Sequence, residues 1–336
     1  MDSFFERHLN DDHCFLCGHA LRNATRSDEH VIPRWLQERH DLRNQRLGLL
    51  NGTLIPYRQL RIPCCKTCNN EALSELENEV QAILGGDFVP PTSAQEHRLF
   101  QWCSKILYGL LHRELALLGD RRDTSTGTIV QKQFLQNLLT FHHFMTSIRR
   151  PFRFDGFLPY SIFVAEAMDS ASGRGNFDYM DHVVIRRGDE FRVPLVLSLR
   201  TGHYAIFCVF QDNGLQKLHF QADPFDRLRG VPLHPIQFLE LACKSTYKHS
   251  KLAFSPSYYS EAENNPDSEV VVVPTVFPDG DPWEPWANEE YADMFCSHAK
   301  RMGFRGVPEP EDFYVGDLQT TWLFNEDGTP KRMPQP

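Results

Sequence analysis

The chain contains no uninterrupted apolar run of the roughly 18 residues that a membrane-spanning helix requires, so no membrane span is expected. Its start, Met1-Asp2-Ser3-Phe4-Phe5-Glu6-Arg7, lacks the basic and then apolar stretches of a secretory signal, and a cytoplasmic location is expected. No internal repeat recurs at a fixed period, which argues against a solenoid or propeller. The glycine-bearing stretch Ser170–Asn176 follows no apolar strand and has no Lys-Ser/Thr, so it reads as a flexible loop and not as a nucleotide cradle. Positive charge is also short, with a net charge of −9 over 336 residues. That balance speaks against a generic nucleic-acid binder until it is divided along the chain. Nine cysteines is an odd number, and five of them cluster. Thiols and metal in a reducing compartment fit this better than a disulfide framework. Cys103, Cys208, Cys243 and Cys296 stand in apolar surroundings and read as core thiols.

What is present is sufficient for a core, at 41% hydrophobic and 24% charged residues, and long enough for two or three domains. Residues 20–66 hold nine Lys/Arg against four Asp/Glu, whereas residues 255–336 hold five against sixteen. The acidity therefore belongs to the C-terminal third, and the segment between the cysteine groups is basic, as a phosphate-facing surface should be.

Cys14-Phe15-Leu16-Cys17 is one CxxC pair, and Cys65-Lys66-Thr67-Cys68 is a second, with Cys64 beside it. Two such knuckles supply the four thiolates of a closed structural zinc site. Cys64 to Cys68 is also a permitted gap, so spacing alone leaves Cys64 and Cys65 in competition. Between the knuckles lies Asp28-Glu29-His30-Val31-Ile32-Pro33, and Asn69-Asn70 follows the last cysteine. Holding zinc does not require an acidic residue next to a histidine. A neutral histidine is suited to deprotonating water near neutral pH.

These elements, in this order, resemble the HNH endonuclease family over roughly residues 10 to 80. The resemblance rests on Cys14 and Cys17, on Glu29-His30-Val31-Ile32-Pro33, and on Cys65-Lys66-Thr67-Cys68-Asn69. It implies a ββα-metal module at residues 1–90 whose structural Zn²⁺ is held by Cys14, Cys17, Cys65 and Cys68. It also implies His30 as general base, with Glu29 and Asn69 as oxygen ligands of a catalytic Mg²⁺ or Mn²⁺. Asp28 competes with Glu29, because adjacent strand residues face opposite ways, and Asn70 competes with Asn69. The family's motif favours Glu29 over Asp28, Asn69 over Asn70 and, at the second knuckle, Cys65 over Cys64. A middle Asn that orients the base in the family has no counterpart in Tyr57–Pro63. The implied activity is DNA phosphodiester cleavage, with RNA a second substrate class, in restriction or anti-phage defence. Arg34, Arg39, Arg58, Arg61 and Lys66 are the expected phosphate contacts. The rival is a non-cutting zinc module that binds nucleic acid or protein. A nuclease silent until a partner or small-molecule signal engages the rest of the chain is a further one.

The fold class expected is α+β. The nuclease-like module precedes a larger body at residues 91–336 that mixes helices with an antiparallel sheet and serves recognition, sensing or assembly, as a homodimer or with a partner protein. Residues 1–12 read as a short helical lead-in. Apolar spacing predicts helices over 71–84, capped by Asn69 and Asn70, and over 94–118, with one stripe of Leu99, Trp102, Ile106 and Leu110. Helices are also expected at 129–148, 235–248 and 286–302. Strands are expected at 160–165, 182–187, 190–200, 203–210 and 269–276. His142-His143 reads as a helix face and not a metal site. The acidic, Pro-rich end of residues 255–336 is expected to be partly disordered.

Overall fold

The structure is a computed structural model. It describes residues 8–336 except 50, 116, 119–124, 126–140, 169–176, 182–184, 188–189, 193, 263–268, 277–278, 316–317 and 335. The fold is mixed helix and sheet, α+β as expected. It divides into two compact units, one of residues 1–85, 92–155 and 257–273, the other of 86–91, 156–256 and 274–336. The units interleave along the chain, so the long helix after residue 92 groups with the knuckles and not with the remainder of residues 91–336.

In the first unit, β1 (Arg26–His30) pairs antiparallel with β4 (Arg61–Cys65). Between them come helix α1 (Arg34–Arg39) and a small hairpin of β2 (Arg46–Gly48) and β3 (Leu54–Pro56). Pro33 ends β1 and starts α1, since its fixed φ suits a helix start. A wide helical turn, Cys68–Leu73, leads into α2 (Ser74–Ile83), which buries Leu76 and Val80. Helical backbone begins already at Lys66, so Asn69 and Asn70 lie inside the helix and do not cap it. The second knuckle supplies the turn onto which the helix is wound, which residue spacing from Leu73 onward does not reveal.

Helix α3 (Ser93–Leu115) is the centre of this unit. It does not have the single apolar stripe expected, because residues 99–112 are buried on every side, Gln101, Ser104 and Lys105 included. Each of those polar side chains has a buried partner, Glu29 in the case of Lys105, as burial demands. Gly109 lets α3 approach the end of β1. A Cβ there would lie 2.8 Å from Val31 Cγ2, the residue that follows His30. Residues 141–145 are helical, and the remainder of the helix expected at 129–148 lies mostly outside the described residues. A three-stranded sheet of Tyr258–Ala262, Val270–Pro274 and β5 (Phe152–Phe154) completes the unit.

The second unit is built on the antiparallel sheet β6 (Tyr160–Glu166), β11 (Tyr204–Phe210), β10 (Val196–Thr201) and β7 (Phe177–Met180), in that order. A separate hairpin joins β8 (Ile185–Arg187) to β9 (Glu190–Arg192), which splits the strand expected at 190–200. Helix α4 (Leu215–Phe220) follows the sheet, and α5 (Pro235–Ser250) packs against β10 and β11. Helix α6 (Asn288–Arg301) packs on α5. The acidic tail is held by its aromatic and aliphatic residues. Phe313 and Leu323 are fully buried, and Trp322 packs against the same core. The backbone at Trp322 and the hydroxyl of Thr321 both donate to the buried Glu240 carboxylate at 2.7 Å. No helix among the described residues is long and apolar enough to cross a membrane.

Candidate metal centre and basic cleft

The first knuckle is a tight turn. The Gly18 amide donates to the Cys14 carbonyl at 2.8 Å, with Gly18 at φ 69°. The Phe15 amide donates to the Pro63 carbonyl at 2.9 Å, which docks that turn on β4. Cys14, Cys17, Cys65 and Cys68 are thereby brought together, with all four sulfurs within 4.8 Å of one another. Cys17 and Cys65 lie 3.8 Å apart, close to the roughly 3.8 Å edge of a tetrahedron with metal–sulfur bonds of about 2.3 Å. Four sulfurs so placed can hold one metal ion. Hydrogen bonds from Cys17, Cys64 and Cys68 pull the Cys14 thiol far below its usual range, and its hydrogen bond to Cys14 pushes Cys17 up to about 11. Such a cluster shares negative charge that a cation would neutralise. Cys64 is buried and approaches Cys14 at 3.9 Å but is not one of the four. Strand alternation turns Cys64 and Cys65 to opposite faces of β4.

The same alternation divides the residues of β1. Arg26, Asp28 and His30 share one face, and Ser27 and Glu29 share the other. Register carries the division into β4, where His30 lies opposite Arg61, Asp28 opposite Pro63, Glu29 opposite Ile62 and Ser27 opposite Cys64.

The Ser27–Glu29 face turns inward, with Ser27 half-buried and Glu29 buried. Glu29 is 6% exposed and forms an ion pair with Lys105 of α3, which is 0% exposed. Lys105 Nζ also pairs with Glu77 of α2 at 2.6 Å and donates to the His30 carbonyl at 2.8 Å. Burial pushes the Glu29 carboxyl up to about 7, against the pull of the Lys105 ammonium. Burial alone would lower Lys105, but Glu29 and Glu77 more than offset it and hold it raised. Asn69 Nδ2 donates to Ser27 Oγ at 2.7 Å, tying the start of the helix to β1.

The two oxygen ligands expected for Mg²⁺ or Mn²⁺ are thus both on this inner face, and Glu29 already answers an internal cation. As arranged, Glu29 and Asn69 do not make an open oxygen site for a divalent ion. Lys105 and Glu77, which the sequence reading left aside, complete the group. Their signal was a lone lysine inside the apolar run Trp102–Leu111 and a glutamate between Leu76 and Val80.

His30 is half-buried. Burial first, then the Arg61 and Lys105 charges, push its imidazole down to about 4, so it is neutral at pH 7. On its side of the strand pair lies a cleft of about 380 Å³ lined by Asp11, Arg26, Asp28, Arg58, Gln59, Arg61, Ile62, Pro63 and Arg113. Of the expected phosphate contacts, Arg58 and Arg61 line it. Arg34 is instead ion-paired with Glu38 at 2.7 Å, and Arg39 stacks on Trp35 and donates to the Leu84 carbonyl. Lys66 is exposed beside Cys65 and is not in the lining. Arg26 and Arg113 are additions that only the fold could make, since they come from β1 and the last turn of α3. No family model, no curated protein and no solved structure matches the chain.

Proposed function

We propose that the chain is a zinc-stapled HNH-type endonuclease that hydrolyses DNA phosphodiester bonds. The observation that carries this reading is the placement of a neutral His30 on the open face of the β1–β4 pair, opposite Arg61, while four cysteines anchor the far end of that pair. Zn²⁺ is the ion best suited to four thiolates, and it would act structurally, since no coordination position stays open. His30 accepts the proton of the attacking water. Arg61 and its neighbours in the cleft neutralise charge that develops on the phosphate. The resemblance assigns a catalytic Mg²⁺ or Mn²⁺ to Glu29 and Asn69. With Glu29 committed to Lys105, the residues present do not fit that ion. Activity in restriction or anti-phage defence, in the cytoplasm, with the second unit as sensor or assembly surface, is the setting in which such a module is placed.

The pairing of Glu29 with Lys105 also favours a second reading, a zinc module that binds nucleic acid without cutting it. Supercoiled plasmid incubated with the protein and Mg²⁺, Mn²⁺ or EDTA, beside His30→Ala, separates the two. Nicking that His30→Ala abolishes supports the nuclease. Nicking by neither protein, with DNA bound, leaves the binding module.

A further inference from the structure

The basic cleft is larger and differently composed than a set of solvated arginines. Four guanidinium groups and two carboxylates line it, from three separated parts of the first unit: the β1–β4 pair with the Arg58–Gln59 turn before it, the end of α3, and Asp11 before the first knuckle. Three of its arginines are held in place but not consumed. Arg26 donates to the Asp11 carbonyl at 2.7 Å and pairs with Asp28 at 3.3 Å. Arg61 Nε donates to the Arg58 carbonyl at 3.0 Å, and Arg58 Nη1 donates to Asn44 Oδ1. A guanidinium carries five N–H donors, so each keeps most of its own for a ligand. Arg113 is exposed, and no described residue pairs with it.

The lining has no aromatic ring, and Ile62 and Pro63 are its only aliphatic members. No aromatic platform for a base is present there. The volume of about 380 Å³ is that of roughly a dozen waters, more than one inorganic ion fills. Charge, polarity and size converge on a sugar–phosphate backbone.

We propose that this cleft is a docking site for backbone phosphates of DNA, with Arg58, Arg61 and Arg113 as direct contacts, Arg26 as the residue that shapes it and Asp28 as the residue that weakens it. The proposal deepens the reading of the chain as one that acts on nucleic acid, and adds two things to it. Binding is blind to base sequence, and Arg113, 96 residues beyond Cys17 and outside the knuckle motifs, belongs to the site no less than Arg61. The Asp28 carboxylate shares the cleft with the arginines, so its removal strengthens binding.

The test measures anisotropy of a fluorescein-labelled duplex in EDTA, with the intact protein, over a range of salt. Arg113→Ala and Arg61→Ala each weaken binding, by the same factor on unrelated sequences, and each reduces the slope of log K against log[salt] by about one. Asp28→Asn tightens binding and leaves that slope no shallower. A variant that merely unfolds cannot produce this opposite sign. Inorganic phosphate at matched ionic strength competes no better than chloride. Affinity and slope unchanged in both arginine variants would overturn the proposal, as would Asp28→Asn binding more weakly than the native chain. Displacement of the duplex by low millimolar phosphate would make the ligand a free ion and overturn it equally. Plasmid nicking, read separately, isolates the nuclease reading. Arginine-dependent binding without nicking counts against catalysis alone, whereas nicking with arginine-independent binding counts against the cleft alone.

Discussion

Glu29 and His30 are consecutive, yet β1 sends them to opposite faces, one onto a buried lysine and the other beside a cleft of arginines. A motif that reads as one acidic-histidine unit is therefore two half-sites divided by a strand.

The inner half-site makes a prediction about cations. Glu29→Gln should leave Mn²⁺ binding by the protein unchanged, because Lys105 already compensates that carboxylate. Lys105→Met, which strips the counter-charge from Glu29 and Glu77, should lower stability by about 3–5 kcal/mol, the usual result of breaking one side of a buried ion pair. Electron paramagnetic resonance of added Mn²⁺ and urea unfolding measure the two effects. A Mn²⁺ affinity that falls in Glu29→Gln would restore Glu29 as a metal ligand.

The outer half-site predicts that His30→Ala lowers nicking by about 10²–10⁴-fold, as loss of a general base does, with little change in duplex affinity. Plasmid nicking and anisotropy are read on the same preparation. Wild-type nicking by the variant would remove His30 from the chemistry.

For the metal centre, about one zinc per chain is expected by elemental analysis. Cys65→Ser should lose it, and Cys64→Ser should keep it, because Cys65 and not Cys64 stands among the four close sulfurs. Equal zinc content in both variants would contradict the assignment.

The second unit should lose stability in acid. Burial pushes His249 down from 6.5 to about 4, with its ring nitrogen against the Phe210 carbonyl at 2.9 Å. Between those values the unfolded chain binds a proton that the folded chain refuses. The contribution is intact above about pH 6.5 and lost as pH falls toward 4, by up to about 3 kcal/mol. Urea unfolding of the native chain and of His249→Asn from pH 7 to 4 should give a shallower decline in the variant. Parallel declines would show that His249 is not responsible.

Gly109→Ala should destabilise the first unit, since its new methyl would sit 2.8–2.9 Å from the Val31 methyls, and α3 or the end of β1 must yield. Overpacking of this kind typically costs about 1–3 kcal/mol. A thermal midpoint equal to that of the native chain would show that the contact relaxes freely.

Several elements were legible because their causes are local. The two knuckles, the strands at 160–165 and 203–210 and the helix at 235–248 follow from spacing and periodicity, and the structure has them at β6, β11 and α5. Other elements were not legible, because their causes lie far along the chain. Asn69 reads as a cap in isolation, yet it is drawn into the helix and bonded to Ser27, 42 residues away. The acidic tail has the composition of a disordered segment, but Phe313 and Leu323 find a core to enter.

By itself the sequence determined which chemical groups exist: four thiolates at knuckle spacing, a histidine beside an acidic residue, and a basic segment between them. Only the tertiary structure decided how those groups are partitioned. Strand alternation is local, but which face is buried depends on what packs there, and α3 arrives from residues 93–115 with Lys105 to bury against Glu29 and Arg113 to add to the cleft. A lysine's charge is written in the sequence, whereas its desolvation and its partners arise only when distant segments meet.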